Sequence, residues 1–116
     1  MTRPAAGSIA RGDVAWASMD PTVGHEQAKH RPWLVLSEPP LHRARGLLIA
    51  VPLTHTDRGW STHVNLTPGE DEANVAMVEQ VKSMSLDRIT RVDRAPYNPG
   101  RVDQVHETLT LLTGGR

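Results

Sequence analysis

The chain has no cysteine among its 116 residues. This absence excludes disulfide bonds, thiolate nucleophiles and cysteine-ligated zinc sites, and it removes the usual sign of a small secreted protein. The first residues contain no apolar stretch that could act as a signal peptide, and the longest apolar run, residues 47–53, is too short to span a bilayer. These absences predict a cytoplasmic protein.

An excess of charge of one sign is missing too, because 13 basic residues balance 13 acidic ones. A formal net charge of zero argues against a nucleic-acid binder that works by bulk attraction alone. The distribution is nevertheless uneven. Residues 29–63 contain five Lys or Arg and two acids, whereas residues 64–90 contain five acids and two bases. The first stretch is therefore a candidate cationic patch.

The apolar pattern predicts a single mainly β domain. Residues 1–10 mix Pro, Gly, Ala and Ser without periodicity and are expected to form a disordered leader before one domain over residues 11–114. Short apolar segments separated by Gly, Pro, Asp and Asn clusters predict strands over 13–18, 33–37, 47–54, 62–66, 75–84 and 89–92. Many short strands are typical of a small barrel or sandwich.

The C-terminal residues predict one helix. Asn98 is a suitable N-cap and Pro99 fits the first helical position. Apolar residues then recur at helical spacing, at Val102, Val105, Leu109 and Leu112. Gly114 and Gly115 provide a C-cap, so we expect a helix whose apolar stripe covers the barrel or contributes to an interface.

A polar segment, residues 20–32, lies directly before an apolar strand. It contains Pro21 and Pro32, which a helix would not accommodate, so we expect a connection that carries Glu26, Lys29 and Arg31. Loops that a rigid scaffold positions often carry function, which makes this junction a candidate site.

The six histidines raise the question of a metal site. His25 and His30 flank a glutamate, as in zinc proteases, but they are five residues apart in a segment that prolines bound. Zinc binding by that motif needs two histidines at i and i+4 on one helical face. The spacing therefore argues against a metal site.

Cleavage of RNA without a metal fits these residue types better. Attack by the 2′-hydroxyl needs one group that takes a proton, one that returns it, and donors that hold the developing phosphate charge. Arg31 is a planar cation suited to phosphate, and the hydroxyl or backbone N–H of Thr54 could contact the same phosphate. The candidates for proton transfer are Glu26, Glu79, His25, His30 and His55. Spacing alone does not unite these residues, so an ordinary solvated surface is the alternative.

Single-stranded bases are recognised by stacking and by hydrogen bonds to their edges. Trp60 lies in a predicted loop and is the stacking candidate, whereas Trp16 and Trp33 lie in predicted strands and are expected in the core. Cationic or titratable side chains on predicted loops are candidates for RNA contact: His25, Lys29, His30, His42, Arg43, Arg45, His55 and Arg58.

Six segments of the chain form a recognisable set of motifs. They are Arg11-Gly12-Asp13-Val14, Asp20-Pro21-Thr22-Val23-Gly24-His25-Glu26-Gln27, Arg31-Pro32-Trp33-Leu34-Val35-Leu36-Ser37, Val51-Pro52-Leu53-Thr54, Gly59-Trp60-Ser61-Thr62-His63-Val64 and Val78-Glu79-Gln80-Val81-Lys82-Ser83-Met84. In order and spacing, over nearly the whole chain, they resemble the MazF/PemK (Kid) toxins of type II toxin–antitoxin systems.

The resemblance implies an SH3-like barrel of five to seven short antiparallel strands with a C-terminal α-helix, working as a homodimer. It implies a toxin that cleaves single-stranded RNA at a short sequence without metal or cofactor and leaves a 2′,3′-cyclic phosphate and a 5′-hydroxyl. Arg31 and Thr54 carry over as the catalytic pair, Glu26 as a general base in some members and Glu79 in others. The implied partner is a cognate MazE-like antitoxin whose acidic tail folds over the RNA groove.

Two positions depart from the family pattern. His55 stands where a small polar residue is usual, and Met77 stands where some members have an arginine, so Arg31 becomes the expected acid or electrostatic clamp. Two alternatives stay open at this point. One is a non-enzymatic gyrase poison of the same barrel fold, and the other is a family member that only binds antitoxin.

Overall fold

The computed structural model describes residues 6–18 and 30–115. Seven strands appear in these ranges: β1 Val14–Ser18, β2 His30–Val35, β3 Leu47–Thr54, β4 His63–Asn65, β5 Val75–Met77, β6 Lys82–Ser85 and β7 Ile89–Asp93. The two α-helices are α1 Pro39–Arg45 and α2 Pro99–Leu112, and 3₁₀ turns cover Ala6–Ser8, Val78–Gln80 and Leu86–Arg88. The predicted mainly β fold with a C-terminal helix is confirmed.

Strand β3 is the centre of an open, barrel-like antiparallel sheet. The strand order is β4-β5-β3-β2-β1-β7, and β6 also pairs with β3. One edge of β3 pairs with β2. Along the other edge, residues 47–50 pair with β6 and the last two residues, Leu53 and Thr54, pair with β5. Strand β3 therefore pairs with three other strands, and its last residue, Thr54, lies beside β5.

Two hydrophobic clusters lie on the two faces of the sheet. Leu34 and Val51 belong to the first cluster, which the helical residues Val102 and Val105 cover. The second contains residues that alternate with these along the strands, including Trp33, Val35, Leu48 and Met84. This period of two is what a β-strand requires when both of its faces are buried. The predicted core position of Trp33 is confirmed, since the residue is 4% exposed.

The expected disordered leader differs from the structure over residues 6–10, while residues 1–5 lie outside the described residues. Ala6–Ser8 form a 3₁₀ turn, and Ile9 is 1% exposed in the second cluster. The backbone N–H of Ala10 donates to the Asp13 carboxylate at 3.0 Å. A single buried isoleucine gives no periodic signal in a sequence.

Helix α1 was not predicted, and it corrects the expected environment of His42, Arg43 and Arg45. Prolines occupy its first positions, and Gly46, with φ of 64°, ends it in the left-handed conformation. Both arginines are exposed on a helix instead of a loop. His42 is 1% exposed and bonded to the Ser37 hydroxyl at 2.7 Å. The expectation that His42 contacts RNA from a loop is therefore wrong.

Two predicted strands differ from the structure by more than two residues. His30 and Arg31 belong to β2 and not to a connection, because they pair with Ser18 and Ala17 of β1. The predicted strand over residues 75–84 is two strands, β5 and β6, separated by the 3₁₀ turn Val78–Gln80. The apolar pattern continues through this turn, so the sequence alone gave no sign of the break.

Candidate active site

Arg31 and Thr54 lie at the ends of two neighbouring strands. In the antiparallel register of β2 and β3, Trp33 is opposite Pro52 and Leu34 is opposite Val51. The pairing of β2 with β3 ends at Trp33 and Pro52. If the same register is continued by two residues, Arg31 would stand opposite Thr54, and directly opposed residues of an antiparallel pair project from the same face. Their catalytic role stays a prediction.

The Thr54 hydroxyl is oriented by the turn that follows β3. Its Oγ1 accepts a hydrogen bond from the backbone N–H of Thr56 at 3.2 Å. A hydroxyl has one hydrogen and two acceptor lone pairs. Because this contact uses a lone pair, the hydroxyl hydrogen can point away from the backbone and donate to a phosphate oxygen.

The segment between β3 and β4 presents an aromatic ring to solvent. Trp60 is 56% exposed, and the Arg58 guanidinium lies 5.5 Å from its ring centroid. The Asp57 carboxylate holds the segment, because it accepts from the backbone N–H of Gly59 at 2.9 Å and from the Asn65 side chain at 3.3 Å. The exposed indole face is the kind of surface on which a base can stack.

A buried histidine contacts a partly exposed carboxylate beside this ring. His63 Nε2 lies 3.2 Å from Glu79 Oε2, and the side chains are 1% and 33% exposed. The rings of Trp60 and His63 have centroids 4.9 Å apart, with 42° between their planes. The sequence analysis gave His63 no role, although His63 and Glu79 stand in two of the family-like segments.

Local hydrogen bonds control the ionisation of Glu79. Burial alone would raise the pKa of Glu79. Hydrogen bonds from its own backbone N–H, the Thr62 hydroxyl and His63, together with the charge that His63 can carry, outweigh burial and hold the pKa below its usual 4.5. The carboxylate is therefore an ionised acceptor at neutral pH, and a weaker base than an ordinary glutamate.

Strand pairing places His63, the partner of this carboxylate, on the same face of the sheet as Thr54. Thr54 pairs with Val75, which pairs with Asn65 on β4, and His63 lies two residues further along β4. Residues two apart on a strand project from the same face, so Thr54 and His63 share one face. Two strand spacings and two residues separate their Cα atoms by about 12 Å. The face thus carries an Arg31–Thr54 pair and a neighbouring His63–Glu79–Trp60 group.

The remaining predicted residues are distributed over several places. His55 Nδ1 lies 3.0 Å from the Ala73 carbonyl and 3.7 Å from the Glu72 carboxylate, one residue past Thr54. His30 Nδ1 lies 3.1 Å from the Thr90 hydroxyl. Both side chains stay candidates at the edge of the site.

Arg43 and Arg45 lie on α1, just before the first residue of β3. The eight residues of β3 separate this helix from Thr54 by about 23 Å. The structure does not bring these arginines to the same site, and their contact with RNA stays a prediction. The predicted residues His25, Glu26 and Lys29 lie outside the described residues.

Two negative findings apply to residues 6–18 and 30–115. Within these ranges no three or more His, Asp and Glu side chains form a group that could hold a metal ion. No helix in the same part of the chain has the length and apolar character needed to cross a membrane.

Comparison with known proteins decides the family. The sequence matches the family described as PemK-like, MazF-like toxin of type II toxin–antitoxin system over residues 10–113. The chain belongs to this family. The match includes β1 to β7, α1 and α2, so it covers Arg31, Thr54, His63 and Glu79 together.

Curated and structural relatives agree with this MazF-like assignment. The endoribonuclease toxin MazF of Escherichia coli (strain K12) is 32% identical over 103 residues, which cover 89% of this chain and 92% of the relative. MazF from Deinococcus radiodurans is 28% identical, covers 91% of this chain and 96% of its own, and superimposes with a TM-score of 0.71. A MazE–MazF structure from the same organism gives 26% identity and a TM-score of 0.76, with 91% and 96% covered.

Proposed function

We propose that this MazF-like toxin is an endoribonuclease that cleaves single-stranded RNA at a short sequence, with the substrate's own 2′-hydroxyl as nucleophile and without a metal. The observation that carries the proposal is the pairing of β2 with β3, whose register, continued by two residues beyond Trp33 and Pro52, would set Arg31 opposite Thr54. The family match and the endoribonuclease relative support the activity. Nothing in the proposed chemistry requires a cofactor.

The reaction needs a balanced transfer of protons around one phosphate. The 2′-oxygen forms a bond to phosphorus while its proton passes to a base, and the bond from phosphorus to the 5′-oxygen breaks as that oxygen gains a proton. The products are a 2′,3′-cyclic phosphate and a 5′-hydroxyl. Arg31 and the Thr54 hydroxyl would hold the charge on the non-bridging oxygens, as preorganised donors do in other active sites.

Two carboxylates are candidates for the base. Glu79 is ionised at neutral pH and lies on the face that carries Thr54, and Glu26 precedes β2 in the chain. Arg31 is unsuited to this step because a guanidinium does not readily deprotonate. It would instead act as the clamp or as the acid for the 5′-oxygen.

The RNA would follow the exposed groups beside the catalytic pair. Trp60 offers an exposed indole face for base stacking, and the Arg58 guanidinium lies 5.5 Å from its ring centroid. His55, one residue after Thr54, and His30, one residue before Arg31, are further exposed candidates for RNA contact. Each stacked base adds on the order of 1–3 kcal/mol in such sites. The predicted contacts from His25, Lys29, Arg43 and Arg45 extend this proposed path.

The proposed partners follow from the same family. A MazE–MazF assembly is known from Deinococcus radiodurans, and this supports a MazE-like antitoxin that covers the RNA site of the present chain. We further propose a homodimer, with the cytoplasm as the place where toxin, antitoxin and RNA meet. An extended antitoxin segment would fold as it binds.

The first test is cleavage of a long mixed-sequence RNA by the purified protein in EDTA. Discrete fragments with 5′-hydroxyl ends are expected, and mapping those ends gives the cleavage sequence. Arg31→Ala should lower the rate by at least about 100-fold, because it removes a donor to the transition state. Arg101→Ala, on helix α2, is the matched control and should retain the wild-type rate.

Two outcomes would contradict the proposal. Unchanged activity of Arg31→Ala would remove Arg31 from the mechanism. Intact RNA after incubation with the wild-type protein, together with stabilised DNA breaks in a gyrase assay, would instead support the non-enzymatic alternative.

A further inference from the structure

We propose that His63 is a positioning residue of the RNA site, which fixes the Glu79 carboxylate with one ring nitrogen and supports Trp60 with the same ring. The three side chains would then form one unit, in which the distance and orientation between the exposed indole of Trp60 and the carboxylate of Glu79 are fixed. This inference rests on the proposed ribonuclease function, because it assigns a task to a residue within that site.

His63 is in contact with Glu79. Nε2 of His63 lies 3.2 Å from Oε2 of Glu79, within hydrogen-bonding distance. An ionised carboxylate only accepts, so the hydrogen of the imidazole belongs on Nε2 in this contact. The side chain of His63 is 1% exposed whereas that of Glu79 is 33% exposed. The histidine is therefore the fixed member of the pair, and the carboxylate faces solvent.

The other ring nitrogen of His63, Nδ1, makes no comparable contact within residues 6–18 and 30–115. Nδ1 of His63 is buried and has no hydrogen-bond partner among the described residues. The ring therefore makes its side-chain hydrogen bond through Nε2. Its polar contact in the described part of the chain is with Glu79, which points to a role for the histidine in holding that carboxylate.

The indole of Trp60 makes a tilted contact with the His63 ring, with 4.9 Å between centroids and 42° between planes, and the Arg58 guanidinium lies 5.5 Å from the indole. The Gln80 side-chain amide also donates to Oε2 of Glu79, at 3.5 Å. A base stacked on the exposed indole would therefore lie beside a carboxylate whose position β4 sets.

The test compares three substitutions at position 63 by kcat and KM on an RNA with one cleavage site. Gln places its amide nitrogen as far from Cα as Nε2 of histidine, so His63→Gln keeps the donor to Glu79. His63→Leu fills a similar volume without a donor, and His63→Asn has its amide too close to the backbone. We expect His63→Leu and His63→Asn to lower kcat by about 10- to 100-fold, since small misplacements in a site have such effects.

His63→Gln should recover most of that loss. KM should change by less than about two-fold in His63→Leu, because the leucine side chain still fills the space beside Trp60. In a Glu79→Gln background, His63→Leu should add less than about a two-fold further loss, because residues that act through one contact are not additive. Thermal unfolding of each variant checks that the comparison is made on folded protein.

Four outcomes would overturn the inference. They are a wild-type rate for His63→Leu, equal losses for folded His63→Gln and His63→Leu, a wild-type rate for Glu79→Gln, or full additivity in the double variant. Each of these requires that the wild-type protein cleaves the RNA. RNA left intact by the wild-type protein would instead overturn the proposed function itself, so the two failures are distinguishable.

Discussion

A buried histidine lies near each end of strand β3, and the two histidines make different contacts. At the Leu47 end, the ring nitrogens of His42 lie 2.7 Å from the Ser37 hydroxyl and 2.9 Å from the Ile9 carbonyl. Near the Thr54 end, His63 contacts Glu79 and leaves Nδ1 without a partner in the described residues. Both imidazoles are buried, but one joins neutral core groups and the other faces an accessible carboxylate.

We expect His42 to act in folding and His63 in the proposed site. Both ring nitrogens of His42 make hydrogen bonds, which offset the free-energy cost of burying the ring. Only one nitrogen of His63 does so in the part of the chain that the structure describes, and local departures from ideal pairing are expected at functional sites. The substitutions below test this separation.

The largest effect is expected for Thr54→Val, which replaces a hydroxyl by a methyl group of nearly the same shape at the site end of β3. We expect cleavage to slow by about 100- to 1,000-fold, because a donor to the transition state is lost. Single-turnover cleavage of a defined RNA measures the rate. Thr54→Ser keeps the hydroxyl and should stay within about tenfold of wild type. Equal rates for Thr54→Val and wild type would contradict a catalytic Thr54.

His42→Ala tests the other end of β3. The substitution leaves a cavity and removes the contacts of the ring with the Ser37 hydroxyl and the Ile9 carbonyl, so we expect a loss of about 3 kcal/mol in the free energy of unfolding. Urea unfolding measures it, and cleavage at a temperature where the variant is folded should be unchanged. His106→Ala, at an exposed position of α2, should cost no more than about 0.5 kcal/mol. A catalytic loss in stable His42→Ala would contradict the separation.

The smallest effect is the pH dependence that Glu79 adds to stability. Burial raises the pKa of Glu79, but its hydrogen bonds lower it further, so the folded-state pKa lies below the usual 4.5. The ionised carboxylate therefore stabilises the fold above that pH, and the contribution is lost as the pH falls through the folded-state pKa. The difference in unfolding free energy between wild type and Glu79→Gln should shrink on acidification. A difference that grows towards acid would contradict the assignment.

Much of the fold could be predicted because its signals are local. Strand β3 was predicted with its observed bounds, since its apolar run begins after Gly46 and ends in polar residues. Helix α2 followed from the Asn98 cap, whose side chain accepts from the backbone N–H of Gly100 at 2.8 Å. Helix α1 escaped prediction because it has seven residues and begins with two prolines.

The site was predictable only in part, because its contacts are not local. The resemblance supplies Arg31 and Thr54, and only the pairing of β2 with β3 indicates that the strand ends that carry them are adjacent. The contact between His63 and Glu79 joins residues 16 apart in sequence. It depends on the pairing of β4 with β5 and on the turn that follows β5, and neither leaves a pattern in the sequence.

The central position of β3 affects how often different parts of the proposed site open to solvent. Because β3 pairs with β2, β5 and β6, its amide hydrogens should exchange with solvent only in the rarest and largest openings of the molecule. The segment of residues 55–62 pairs with no strand in the described chain, so Trp60 should exchange its amide through frequent local opening. Thr54, the proposed phosphate contact, would thus be among the parts of the protein that open least often, and Trp60, the proposed stacking ring, among those that open most often.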